Sequence, residues 1–195
     1  MQGYETTAVT LSTCLLMLAM HKDVQQRVID EIDGSTFAAG SPLTVEDTQG
    51  FPFIERVLKE TMRLFPVAPL IMRQTTAEVD FEGRRVPDGT LIAIPIYLLH
   101  RKADVWGDDA AEFRPDRFES KDIHPFAFAP FSGGKRMCLG YKYAMIFMKI
   151  FVVSFFKEFT VDTSLRLEEL RVKIAPTLHV KQGYRVSVKR RESLA

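Results

Sequence analysis

Residues 131–140 read Phe131-Ser132-Gly133-Gly134-Lys135-Arg136-Met137-Cys138-Leu139-Gly140, and the reading of the fold turns on them. A cysteine lies in a Gly-rich loop, immediately ahead of an apolar helical pattern from Tyr141 to Phe156. A helix N-terminus offers unpaired N–H groups and partial positive charge, and Lys135 and Arg136 add two cations. Such a setting favours the thiolate, the form of cysteine that ligates metal. Glycine lets the backbone approach a flat ligand closely. In isolation, the ordinary reading of one such residue is a small buried hydrophobe. A phosphate loop fits less well, because Gly133-Gly134-Lys135 lacks the spacing and the Ser or Thr that should follow the lysine. The helix itself carries aromatics on most faces, a pattern that predicts burial all round.

Upstream of the loop, residues 100–135 contain Gly107, Pro115, Pro125, Pro130 and Gly133 and little periodicity, which predicts a long ordered coil. It includes Phe113-Arg114-Pro115-Asp116-Arg117-Phe118, an arginine-bearing segment between aromatics. Short β-like runs precede it at Ile71–Thr75, Val79–Phe81, Arg85-Val86 and Thr90–Tyr97. Glu82-Gly83 and Pro87-Asp88-Gly89 are the turns, and Pro95 marks an edge or a bulge. A helix is predicted from Pro52 to about Leu64, stopped by Phe65-Pro66. On it Glu60 and Arg63 share a face. Val57 and Leu64 flank Glu60 and put its carboxylate on the apolar stripe, where it needs a partner. Taken alone, E-x-x-R is more simply a surface ion pair.

Thr44 and Asp47 resemble a capping box, and residues 34–42 read as a small-residue linker. Before them, Asp23 can cap a helix with Val24, Val28 and Ile32 inward and Gln25, Gln26, Arg27, Asp30 and Glu31 outward. Leu11, Cys14, Leu15 and Leu18 recur at helical spacing in the first segment. Its start, Glu5-Thr6-Thr7, sets an acid beside two hydroxyls, a group able to pass protons; threonine can also bond back to the i−4 carbonyl. The C-terminal stretch Leu178 to Val188 alternates like a hairpin around Gln182-Gly183.

The 195 residues are 46% hydrophobic and 26% charged, which is globular composition. A net charge of +1 argues against nucleic-acid binding driven by overall charge. Two cysteines exclude a four-cysteine zinc site within the chain. The longest uncharged apolar stretch, Ala8 to Met20, has 13 residues, too short to span a bilayer. Met1 to Tyr4 contain no lysine or arginine, so the segment reads as neither signal nor anchor.

Taken together, these features resemble the C-terminal portion of a cytochrome P-450, a haem-thiolate monooxygenase. The family's haem loop, F-x-x-G-x-R-x-C-x-G, is filled at every fixed position by Phe131, Gly134, Arg136, Cys138 and Gly140. Its E-x-x-R helix matches Glu60 and Arg63, and its downstream aromatic–Arg segment matches Arg117-Phe118. Leu99-His100-Arg101, Trp106-Gly107 and the acid–threonine pair Glu5-Thr6 also stand as in that family. The resemblance covers essentially the whole chain. It implies a mainly α fold with a small β-sheet (α+β), entered within the central oxygen-binding helix at residues 1–20.

The resemblance also implies roles. Cys138 is the axial thiolate to the iron of haem b (iron protoporphyrin IX). Arg136 and Arg73 hold the propionates, and Phe131 packs beside the sulfur. Glu5 and Thr6 deliver protons to bound dioxygen. Glu60, Arg63 and Arg117 form a buried structural cluster. Val67, Ala68, Pro69, Leu70 and Ile71 line the pocket of an apolar substrate. Lys135 and Lys142 face an NADPH–cytochrome P-450 reductase. The parent is expected at the endoplasmic reticulum membrane, and the wording of Tyr4-Glu5-Thr6-Thr7 resembles insect detoxification or lipid-hydroxylating branches. With much of the distal half of the family's fold absent from this sequence, two readings follow: a catalytic portion of a monooxygenase, or a non-catalytic remnant. The same absence predicts Leu11, Leu15 and Leu18 exposed.

Overall fold

A computed structural model describes residues 2–35, 43–120 and 122–192. Part of the 34–42 linker therefore lies outside the described residues. The helices are α1 (Gln2–Met20), α2 (Lys22–Asp33), α3 (Pro52–Leu64), α4 (Ile96–Leu99), α5 (Ala103–Trp106) and α6 (Tyr141–Glu158). The strands are β1 (Ile71–Gln74), β2 (Val79–Phe81), β3 (Arg84–Val86), β4 (Leu91–Ile94), β5 (Phe159–Asp162), β6 (Val172–Ala175), β7 (Thr177–Val180) and β8 (Ser187–Arg190). They pair antiparallel in twos: β1 with β4, β2 with β3, β5 with β8 and β6 with β7. The chain is α+β, with the long helices forming the core and the small sheets around it.

Burial of apolar side chains is what holds α1, α2, α3 and α6 together. Leu16, Met17 and Leu18 of α1 meet Val28 of α2, Ile54, Val57 and Leu58 of α3, and Val152, Val153 and Phe156 of α6 in one cluster. The expected exposure of α1 is corrected here: Leu11 and Leu18 are buried and Leu15 packs against the core. Thr7, Thr10 and Thr13 each donate their hydroxyl to the i−4 carbonyl, at 3.1, 2.8 and 2.8 Å, so α1 hides its polar groups in its own backbone. Burial of α6 all round is corrected too. One face holds Met148, Val152, Val153 and Phe156 in the core, while Tyr143 is 74% exposed.

Two polar side chains of α2 tie the elements together. Gln25, read as outward, is buried; its Nε2 donates to the Leu18 and Val161 carbonyls at 2.8 and 2.9 Å, and its Oε1 accepts from the Val161 N–H at 3.1 Å. Glu31, also read as outward, accepts the N–H groups of Phe53 and Ile54 at 2.7 and 2.9 Å. It thereby caps α3 from another helix, satisfying two donors that have no partner within α3. Glu31→Ala is expected to lower unfolding stability by about 1–2 kcal/mol, the worth of a charged N-cap, measurable by urea titration. Asp23, expected as a cap, lies inside the first turn of α2, with His21 at the cap position.

Two strand readings are also corrected. The run Thr90–Tyr97 ends as a strand at Ile94, because Pro95 cannot continue the ladder and instead precedes α4. The terminal hairpin about 178–188 does not form. β7 turns back on β6 through Ala175 and Thr177, and β8 crosses to β5, with Val188 opposite Val161. Alternation made both strands visible, but it carries no information on which partner lies alongside.

Candidate functional site

Glu60 and Arg63 project from the buried face of α3, neither exposed to solvent. Arg63 Nε and Nη2 donate to the two Glu60 oxygens at 2.6 and 2.8 Å. Arg63 Nη1 donates to the carbonyls of His100 and Ala110 at 2.7 and 2.8 Å, and Nη2 to that of Glu112 at 3.0 Å. All five guanidinium donors are thus used. Arg117 Nε donates to Glu60 Oε1 at 2.9 Å, as does the Arg114 backbone N–H at 2.9 Å. Arg117 reaches further to the Trp106 carbonyl at 3.2 Å and the Asp109 carbonyl at 3.1 Å. The structure therefore brings Glu60, Arg63 and Arg117 into one buried network that fastens the coil 100–117 to α3.

The turn that carries Arg117, Pro115–Glu119, is gripped from outside as well. Arg27 of α2 makes a two-point pair with Asp116, both bonds 2.8 Å, and Arg56 of α3 pairs with Glu119 at 2.7 Å. Arg27 and Arg56 also lie over the Phe53 ring at 4.1 and 5.2 Å. The hydrogen bonds from Arg27 hold the Asp116 carboxyl below its ordinary range.

The loop follows. Ser132 turns at φ 64° and Gly134 at φ 66°. At Gly134 the left-handed backbone favours a residue without Cβ. Phe131 folds back so that its carbonyl accepts the Cys138 N–H at 2.9 Å. Cys138 is exposed, as are Gly134, Lys135, Arg136, Met137 and Gly140, and Leu139 is 101% exposed. Arg73 of β1 donates to the Ser132 hydroxyl at 2.7 Å, which puts that guanidinium beside the loop. The Phe131 ring lies 6.2 Å from that of Tyr141, and Lys142 is exposed one residue further along α6.

This is a surface on which an iron porphyrin fits. One exposed sulfur is available as a ligand, glycines leave the loop open, Met137 and Leu139 are exposed apolar side chains, and the cations Arg73 and Arg136 suit carboxylates. An added Cβ at Gly134 or Gly140 would meet nothing within 4 Å, so the open face of the loop is not filled by protein. The other cysteine cannot substitute. Cys14 is buried in α1, and burial pushes its thiol up to about 12, outweighing the Thr61 hydroxyl beside it.

Glu5 and Thr6 lie on the first turns of α1, away from the buried cluster in sequence and packing. Glu5 is exposed and accepts the Thr177 hydroxyl at 3.0 Å; that hydroxyl in turn lies 2.7 Å from His179 Nε2. Val67 accepts the Leu178 N–H at 3.0 Å, so β7 touches both the acid and the segment Val67–Ile71. Within that segment Pro69 is buried, Val67, Ala68 and Ile71 are half-buried and Leu70 is exposed. Thr177 and His179 belong to no motif and carried no signal in the sequence.

His100, legible only as part of the family's Leu99-His100-Arg101 motif, is fully buried, 5.4 Å from the Phe128 ring and bonded to the backbone of Arg63 and Ala129. Burial pushes its imidazole down from 6.5 to about 4; the hydrogen bond to the Arg63 carbonyl opposes this, and the charges of Arg63 and Arg101 reinforce it. The unfolded chain therefore binds this proton more readily than the folded one. The resulting stability is whole above about pH 6.5 and is lost as pH falls through about 4, up to about 3 kcal/mol. Urea midpoints compared at pH 7 and 4.5 are expected to fall steeply in the parent and less steeply in His100→Gln.

An α+β fold with an exposed cysteine in a glycine-rich loop and a buried glutamate–arginine network is the fold of the haem-thiolate class. The cytochrome P450 family model matches residues 1–182. The chain is 36% identical over 194 residues to probable cytochrome P450 313a1 of Drosophila melanogaster, covering 97% of this chain and 39% of that protein. It is 38% identical over 163 residues to cytochrome P450 3A13 of Mus musculus, covering 82% of this chain and 32% of that protein. It is 36% identical over 169 residues to lithocholate 6-beta-hydroxylase of Mesocricetus auratus, covering 85% and 33%. The chain belongs to the cytochrome P450 family and spans between about a third and two fifths of the length of these relatives.

Proposed function

We propose that the chain provides the thiolate side of a monooxygenase that inserts one atom of dioxygen into a lipophilic small molecule, with electrons from NADPH passed through a reductase. The single observation that carries this is Cys138, accessible in a loop whose backbone is folded by the Phe131 carbonyl. Among the described residues no three His, Cys, Asp or Glu side chains cluster as metal ligands, so an iron at Cys138 would bring its remaining ligands with it, as a porphyrin does. Haem b, when bound, supplies dioxygen activation and oxygen transfer, with thiolate donation favouring O–O cleavage.

This chain's own residues do the rest. Cys138 presents the sulfur, and Phe131 limits water beside it. Arg73 and Arg136 bind the two propionates by charge-assisted hydrogen bonds. Gly134 and Gly140 keep the approach open. Glu5 and Thr6 would hold and pass protons, with the Thr177 hydroxyl donating to Glu5. Val67, Ala68, Pro69, Leu70 and Ile71 offer an apolar wall, in keeping with a relative named for hydroxylating lithocholate. Lys135 within the loop and Lys142 just beyond it are exposed cations that suit an acidic electron donor such as the reductase.

The family resemblance carries with it membrane association of the whole protein, at the endoplasmic reticulum. No helix among the described residues is long and apolar enough to cross a membrane. The test is the reduced, carbon-monoxide-bound absorption spectrum of the haem-loaded protein, followed by NADPH- and reductase-dependent oxidation of a lipophilic probe. A thiolate-type Soret band with product formation is expected; a haem-loaded protein lacking that band would overturn the reading.

A further inference from the structure

The buried network and the segment that leads into the cysteine loop are far apart in sequence, and one side chain touches both. His100 follows α4, with its ring stacked on Phe128 at 5.4 Å and edge-on to Trp106 at 6.4 Å. Its Nδ1 lies 3.2 Å from the Arg63 carbonyl and its Nε2 3.0 Å from the Ala129 N–H. A carbonyl only accepts and an amide N–H only donates, so the ring is the neutral Nδ1–H tautomer. Arg63 returns the contact, donating Nη1 to the His100 carbonyl at 2.7 Å. Beyond His100 the path runs on through backbone. The Ala129 carbonyl accepts the Ser132 N–H at 3.1 Å, Arg73 donates to the Ser132 hydroxyl, and the Phe131 carbonyl accepts the Cys138 N–H.

We propose that His100 is a positioning residue for the thiolate: it carries the placement of the Glu60–Arg63 network to the turn 129–132, from which Phe131 holds Cys138. The role of Cys138 as iron ligand rests on the function proposed above, whereas the hydrogen-bonded path does not. Ala129 lies in a segment without regular secondary structure, so its N–H has no ladder to join. Ala129 is half-buried, so its N–H is partly withdrawn from water and costly to leave unpaired, and His100 Nε2 is the acceptor that answers it. A phenyl ring at 100 would keep the stacking on Phe128 and Trp106 while losing both hydrogen bonds. Glutamine would lose the stacking while keeping one donor and one acceptor at similar reach.

The test compares wild type, His100→Phe and His100→Gln of the full-length protein. The readouts are amide hydrogen exchange without haem and the reduced carbon-monoxide spectrum with haem. In wild type, the Ala129 and Ser132 amides are expected to be protected despite lying in coil. In His100→Phe, exchange over residues 129–138 should rise about tenfold or more, the change that losing one hydrogen bond produces, with residues 54–62 unchanged. The loaded variant should lose half or more of its thiolate-type absorption, and His100→Gln should restore both signals. Open-coil exchange at Ala129 in wild type would overturn the proposal. So would an unchanged local rate in His100→Phe, a rise spread evenly over the molecule, or a glutamine variant no better than phenylalanine. Should His100→Phe fail to fold, wild-type protection together with a protected glutamine variant supports the proposal, and loss of protection in that variant overturns it. Failure of the wild type to show a thiolate band would count against the proposed function alone, because the exchange measurements are made without haem.

Discussion

Cys138→Ser is expected to leave the fold standing and to abolish the proposed oxygenation. Cys138 is exposed, so its replacement removes little packing, and surface changes of this kind alter stability by about 0.5 kcal/mol or less. Its backbone N–H still bonds to the Phe131 carbonyl, so the loop keeps its shape. What changes is the ligand. A serine hydroxyl is a hard, poorly ionised oxygen where a polarizable thiolate would stand, and the donation that favours O–O cleavage is lost. The reduced carbon-monoxide complex should shift its Soret band to the blue, and turnover should fall by orders of magnitude. Cys14→Ala is the matched control. Cys14 is buried and held protonated at neutral pH, so its loss should cost stability through a small cavity while leaving the spectrum unchanged. An unaltered spectrum in Cys138→Ser, or a blue shift in Cys14→Ala, would sink the assignment of the ligand.

The parts of this site that were legible in the sequence are those where a local pattern coincides with a physical need. Glu60 could be placed on a buried face because Val57 and Leu64 flank it at helical spacing, and a carboxylate there requires cations. That Arg63 is one follows from the same spacing. Arg117 is different: it lies in a coil with no period, and only the family resemblance joined it to Glu60. The long-range polar links were not legible at all. Gln25 and Glu31 have polar neighbours and read as solvent-facing, yet one joins α1 to β5 and the other caps α3, because each partner comes from a distant part of the chain. Lys149 stands within the apolar run of α6, yet it is buried, with its ammonium on the Glu55 carboxylate and the Thr48 carbonyl. The pairing of the last strands is illegible for the same reason: Val161 and Val188 sit opposite one another with β6 and β7 between them in the chain.

Removing Glu60 should produce the largest loss of stability in the molecule. Two guanidinium groups share this one carboxylate, with Arg63 held at 2.6 and 2.8 Å and Arg117 at 2.9 Å. In Glu60→Ala both cations stay buried and Asp109, 3.4 Å from Arg117 Nη1, is the remaining nearby carboxylate. Breaking a buried charged network by deleting one partner costs about 3–5 kcal/mol, a large fraction of the 5–15 kcal/mol that holds a typical protein folded. Arg63→Lys should also be severe, because an ammonium has three donors where five are in use and cannot make the two-point contact. Arg117→Ala should cost less than either, since Arg117 lies at the edge of the network and its carbonyl partners can turn to water. Urea unfolding should rank Glu60→Ala and Arg63→Lys below Arg117→Ala, and all three below wild type. If the network supports the loop through His100 as proposed, each should shed haem faster in the haem-loaded protein at temperatures where turnover per bound haem is still normal. Glu60→Ala combined with Arg117→Ala should cost less than the sum of the two, since each single change already destroys the same contact. Full haem content and an unchanged thermal midpoint in Arg117→Ala would show that the network does not hold the loop.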